Sequence, residues 1–200
     1  MRRIVFAAVA LACSTPFAVA QDKLIMDKSP FLVGFETEHF GYSRVSGRFN
    51  DATGELLFDD KNPAASKLKV TVNTSSIDTN FKARDDHLRS ADFFDVQKHP
   101  TMIFEATKIE VAGDRIAKVE GNLTIKGVTK PVVLEVKARD RKPHPIPAYK
   151  GLLAIGFEAS GKIVRDDFAV GKGEALLTLR ADFIKCDGDA AEAPSCKASK

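Results

Sequence analysis

Four histidines, His39, His87, His99 and His144, are scattered along the chain, and none has the i, i+4 or paired-cysteine spacing from which metal sites are built. Asp85-Asp86-His87 sets two carboxylates beside an imidazole, the ingredients of acid–base chemistry. Neighbouring positions on a helix point different ways, however, and no nucleophile stands at a diagnostic spacing, so a solvated face or local capping is the simpler reading. No catalytic residue and no metal ligand is assigned from the sequence. Two arginine–aspartate runs say more: Arg84-Asp85 comes shortly before Phe93-Phe94, and Arg165-Asp166-Asp167 directly precedes Phe168. A planar guanidinium beside carboxylates and aromatic rings can fasten a covering segment to a rim through paired hydrogen bonds; the sharper alternative is contact with the polar head of a lipid.

The aromatic composition is skewed, with 14 Phe, 2 Tyr and no Trp. Such rings need no hydrogen-bond partner and suit a dry interior, although they fill ordinary cores too. Phe35, Phe49, Phe58, Phe104 and Phe157 all fall on the inward-facing side of short segments in which apolar and polar residues alternate, the pattern of strands with one buried face. Leu68, Val70 and Val72 show it most clearly, between Lys67, Lys69 and Thr71. Val119, Gly121, Leu123 and Ile125 form another inward set, as do Met102, Phe104 and Ala106, and Leu153, Ile155, Phe157 and Ala159. About nine such segments run from Phe31 to Phe183.

Strands joined by tight turns pair antiparallel, and a long sheet with one apolar face forms a sandwich or closes on itself. The expected fold is all-β; closure removes the exposed edges, and a closed antiparallel barrel of about eight strands is wide enough for one small ligand. Period two cannot tell a hollow core from a solid one. Alternation lapses at Arg84–Val96, where Leu88, Ala91 and Phe93 or Phe94 recur at roughly helical spacing; a short helix or structured loop there would cover one mouth. Lys142–Ala148, with prolines at 143, 145 and 147, reads as an exposed extended loop without ladder hydrogen bonds. Ile184–Lys200 has too little apolar content to pack and reads as a flexible tail. The domain is therefore placed at residues 21–183.

Met1–Ala20 reads as a secretory leader: Arg2 and Arg3, an apolar stretch from Ile4 to Ala12, and Ala18-Val19-Ala20 before a cut at Gln21. Its removal leaves 28 Lys and Arg against 27 Asp and Glu, so no basic excess points to nucleic acid. No later segment approaches the roughly 20 apolar residues of a spanning helix, which argues against stable membrane insertion. Cys13 leaves with the leader, and Cys186 and Cys196 would close a small local disulfide loop in an oxidising compartment.

Several motifs become specific when taken together. His39-Phe40-Gly41-Tyr42-Ser43-Arg44-Val45-Ser46-Gly47-Arg48-Phe49, Ser75–Thr79, the run from Arg84 to Asp95 with Pro100, Gly121–Val132 and Arg165-Asp166-Asp167-Phe168 resemble, in order and spacing, the YceI-like family over about Asp27–Phe183. The resemblance implies a periplasmic lipocalin-like barrel whose long pocket binds a polyisoprenoid or a related amphiphile such as a quinone tail, with links to stress responses. By that resemblance Phe35, Phe49, Phe104 and Leu123 would face the pocket, Phe93 and Phe94 would close its mouth, and Arg84, Asp85 and Arg165 would steady the cover. Two positions depart from the family pattern: Pro30-Phe31 replaces a common His-Ser on the first strand, and Ala169 stands where Gly usually follows the Arg-x-Asp-Phe motif.

The expected function is transport or storage of such a lipid, with no cofactor other than the lipid itself and no chemistry performed on it. Two rival readings stay open: an enzyme acting on a lipid or quinone through Asp85, His87 and Arg165, and a solid-core, ligand-free stress or interaction protein. The sequence also leaves open whether two copies pair.

Overall fold

The computed structural model describes residues 21–145, 152–186 and 194–197; the expected leader, residues 146–148 of the proline-rich loop with 149–151 after it, and most of the tail lie outside them. The strands are β1 (Asp22–Met26), β2 (Leu32–His39), β3 (Ser43–Phe49), β4 (Ala52–Phe58), β5 (Lys67–Asn73), β6 (Ile77–Asp78), β7 (Thr101–Gly113), β8 (Ile116–Ile125), β9 (Val128–Ala138), β10 (Lys142–Pro143), β11 (Leu153–Val164) and β12 (Glu174–Lys185). Helix α1 (Lys82–Arg89) interrupts them, and the one-turn α2 (Pro194–Lys197) follows. Eight strands form a closed antiparallel ring, β11-β9-β8-β7-β5-β4-β1-β12, sealed by β11 against β12. Strand β12 changes neighbour along its length, pairing with β1 through Phe183–Lys185 and with β2 through Ala175–Arg180. The β2–β3 hairpin thus extends the wall at the end where α1 lies.

The alternation reads the inward faces of most strands correctly, with instructive exceptions. In β7 the register shifts between Ala106 and Lys108, so the cavity-facing set changes from Met102 and Phe104 to Ile109 and Val111. A bulge inserts one residue and reverses the side chains that follow it; Ala106, the last residue before the shift, was expected inside and is not on the cavity wall. Leu153, also expected inside, is 37% exposed, whereas Leu152 is buried. Strand β1 escapes the pattern because Leu24-Ile25-Met26 is a continuous apolar run, suited to its place between β4 and β12.

Two expectations about the C-terminal region need correction. Lys142 and Pro143 do join the sheet, pairing with Ala154 and Leu153 at the edge of β11, a position that tolerates proline. Ile184 and Lys185 belong to β12, and Ile184 is fully buried with Leu152 and Cys196 in a small second cluster. The Cys186–Cys196 disulfide, with its Cα atoms 5.7 Å apart, holds this cluster on the barrel, so the segment beyond Phe183 is not wholly a loose tail.

Candidate functional site: a covered apolar cavity

The barrel is hollow. Its interior is a cavity of about 1160 Å³, above the roughly 300–1,000 Å³ of pockets for drug-sized ligands. Phe35, Phe49, Phe58, Phe104, Leu123 and Phe157 all line it. Glycines make room for two of these rings. Gly47 lies opposite Phe35 in the β2–β3 register, and a Cβ there would come within 2.4 Å of the Phe35 ring. A Cβ on Gly121 would come equally close to Phe104. Large rings laid over bare backbone thus thin the wall and leave the centre open.

The covering segment closes one end. Phe93 and Phe94 line the cavity, and Phe94 meets Phe49 edge-on at 5.6 Å between centroids, while Phe49 lies 5.8 Å from Phe35. Phe168 instead packs inside the wall and is 1% exposed, so it supports the rim without reaching the cavity.

Polar groups fasten the cover, though not by the arginine–carboxylate pairing the sequence suggested. Neither Arg84 nor Arg165 forms an ion pair with a carboxylate among the described residues; Arg84 and Asp85 converge on Thr79 instead. Asp85, buried, accepts from the Thr79 backbone N–H at 2.9 Å and from its hydroxyl at 2.5 Å. Arg84 donates from Nε to the Thr79 hydroxyl at 2.7 Å and from Nη2 to its carbonyl at 2.8 Å. Arg89 donates to the carbonyls of Ser75 and Ile77. Lys126 Nζ, at the β8–β9 turn, reaches both Ala91 O in the cover (2.8 Å) and Ala169 O (3.2 Å), joining the two rim segments.

His87 is exposed, stacks edge-on with Phe93 and lies 3.4 Å from Asp92. Asp85 and His87 therefore point to different partners. Thr79, Arg89 and Lys126 were not singled out as site residues from the sequence. The signal for Lys126 was present: Lys126-Gly127 is a two-residue hairpin turn with φ of 49° and 76°, where asparagine or aspartate would fit the first position better.

Ala169 also adopts the left-handed conformation, at φ 53°. Ala169→Gly relieves that strain against a larger loss of chain entropy, and should stabilise the protein by about 0.5–1 kcal/mol, raising Tm by roughly 2 °C in thermal unfolding. No change, or a lower Tm, would show that the turn carries no strain.

The opposite end of the cavity is lined by Arg115, Arg139 and Arg141. Each has a carboxylate partner: Asp140 for Arg115 at 2.6 Å, Glu158 for Arg139, and Asp22 for Arg141 at 2.5 Å. Arg141 also lies over the Phe58 ring. Hydrogen bonds from Lys185 and then Arg141 hold the Asp22 carboxyl below the usual range, burial opposing them. A depressed folded-state pKa gives stability that is present above the unfolded value, about 3.9, and lost as pH falls through the folded one. Asp22→Asn should therefore lower Tm at pH 7, with the gap to the parent protein closing on acidification below about pH 3.9; a gap constant with pH contradicts the linkage.

The fold and site define a class: a hollow, closed antiparallel barrel with an apolar interior and a helical cover, in the lipocalin-like manner. The family model described as the YceI-like domain matches residues 25–187. A UPF0312 protein of Pseudomonas aeruginosa is 44% identical over 154 residues, 76% of this chain and 78% of that protein. The YceI protein of Campylobacter jejuni aligns with a TM-score of 0.62 at 28% identity, over 88% of this chain and 97% of that one. A polyisoprenoid-binding domain from Saccharophagus degradans shares the fold, with a TM-score of 0.61 at 11% identity over 87% of this chain and 99% of that domain. The chain belongs to the YceI-like family.

Proposed function

We propose that this protein binds a long-chain isoprenoid or quinone-like amphiphilic lipid inside its barrel and releases it unchanged, serving as a periplasmic carrier or store with a role in stress. The observation that carries this reading is the 1160 Å³ apolar cavity itself. Each methylene moved from water to such a wall contributes about 0.8 kcal/mol, so tens of carbons offset the entropy of straightening the chain. The polyisoprenoid-binding name of the Saccharophagus domain, which has the same fold, agrees with it. The leader-like first 20 residues and the disulfide support export to an oxidising compartment.

The test is gentle purification, organic extraction and mass spectrometry. A long-chain isoprenoid near one per protein, chemically unaltered after incubation and release, is the expected result. An empty extract together with no uptake of added lipid sinks the proposal, and turnover of the lipid would replace it with the enzymatic reading.

A further inference from the structure

The apolar lining of the cavity runs out over the rim at the covered end. Beyond Thr37, the last residue of β2 that pairs with β12, the β2–β3 hairpin stands clear of the ring. Its tip carries Phe40 and Tyr42, 84% and 89% exposed. Phe40 also lines the cavity, and its ring meets that of His39, itself exposed. Single exposed apolar residues are ordinary on a protein surface; aromatic residues gathered at one mouth and continuous with an apolar cavity are not. Phe81, 59% exposed at the start of the cover, lies under the guanidinium of Arg84, which faces the same cavity.

Folding does not explain Phe40. The turn holds Phe40 and Gly41 at φ 53° and 78°, with the Tyr42 N–H donating to the His39 carbonyl at 3.0 Å. Asparagine, aspartate or glycine suits the first of those positions, whereas a bulky side chain there is strained and, in this turn, gains no burial. At the opposite mouth the exposed apolar residues are Val111 and Ile116, 55% and 50% exposed, on strands where β-branched side chains are favoured. Charge separates the two mouths as well. Arg115, Arg139 and Arg141 each have a carboxylate partner. At the covered mouth Arg84, Arg165 and Lys172 line the cavity with no ion pair among the described residues. The acids around them are engaged: Glu36 and Glu38 with Arg44, Asp86 with Lys82 and Arg89, and Asp166 with the Gly173 N–H. Asp167 is exposed and remains against those cations, so the rim carries a cationic surplus.

We infer that the hairpin tip is a membrane-docking surface: Phe40 and Tyr42 seat in the interfacial layer of a phospholipid bilayer, and the cations beside them favour anionic phospholipid. This rests on the lipid-binding reading above and adds where the barrel meets its source of lipid. Aromatic side chains favour the interfacial layer and basic residues are drawn to anionic headgroups, so both features of this mouth fit the same partner.

The chain has no tryptophan, so Tyr42→Trp installs a single reporter at the tip and Ile116→Trp one at the opposite mouth. The delipidated protein is mixed with vesicles of phosphatidylcholine, alone or with about a quarter phosphatidylglycerol, and uptake of geranylgeraniol is measured alongside without vesicles. With anionic vesicles the emission of Tyr42→Trp should move to the blue and that of Ile116→Trp should not. Flotation should show at least about fivefold stronger partition onto the anionic vesicles, falling at least about tenfold in the double variant Phe40→Asn, Tyr42→Ser. Asparagine suits the turn, so the Tm of that variant should equal or exceed the parental value, which separates lost docking from lost fold. A protein that takes up geranylgeraniol but ignores both vesicles overturns the docking surface and spares the lipid-binding reading; one that docks but takes up nothing does the reverse. A blue shift confined to Ile116→Trp, or equal partition of the parent and the double variant, also overturns the assignment. So does self-association that Tyr42→Ser abolishes without any vesicle binding, which would give the tip to a second copy of the chain.

Discussion

Phe104→Asp should empty the barrel: lipid that co-purifies with the parent protein near one per chain should be absent from the variant, and affinity for added isoprenoid should fall at least about 100-fold. The size follows from desolvation, because a bound tail would bury an unpaired carboxylate at a cost of several kcal/mol, each 1.4 kcal/mol being a factor of ten. Phe104 stands on the cavity wall over Gly121 and is only half-buried. In the empty barrel the new carboxylate would face a space large enough for water, so the fold should survive, and circular dichroism would confirm it. His144→Ala is the matched control, since His144 is not on the cavity wall, and its lipid content should match the parent. Equal occupancy in the two variants would mean that the wall around Phe104 is not where the lipid lies.

Phe104 also shows how much of the site is legible in the sequence. Its place on an alternating strand was sufficient to point it inward, as it was for Phe35, Phe49, Phe58 and Phe157, because side chains of successive strand residues must face opposite ways. Whether those rings meet across the centre was not legible. That depends on strand number and tilt, which set the barrel's width, and on Gly47 and Gly121, whose missing side chains let two rings lie against the wall. The change of inward set within β7, from Phe104 to Ile109, was not legible either, because it comes from a bulge after Ala106 that depends on the partner strand.

The cover is the reverse case. Its position and aromatic residues were legible from the lapse of alternation, but its fastenings were not. Arg84 and Asp85 look like an ion pair in sequence, yet adjacent helix positions diverge, and both reach back to Thr79, five and six residues earlier. Lys126 acts on Ala91 and Ala169 from a distant hairpin, a relation that no local spacing encodes.

Asp85→Ala should accordingly have the largest effect on stability among changes in the cover. The carboxylate is buried, at 6% exposure, and is the acceptor for both the N–H and the hydroxyl of Thr79, itself buried. Removing it strands a buried backbone donor and frees the hydroxyl that Arg84 also uses, so the costs add along one chain of hydrogen bonds. A loss of about 2–4 kcal/mol is expected, which corresponds to a fall in Tm of roughly 5–12 °C for a domain of this size. Thr79→Val removes the hydroxyl but keeps the N–H bond to Asp85, and should cost less. The damage should also reach the ligand. With α1 loosened, Phe94 no longer holds its place against Phe49, and dissociation of bound lipid should quicken before global unfolding begins, as a fluorescent lipid analogue would report. A variant with parental Tm and parental release rate would mean that Asp85 does not hold the cover, and that its convergence with Arg84 on Thr79 contributes nothing to closure.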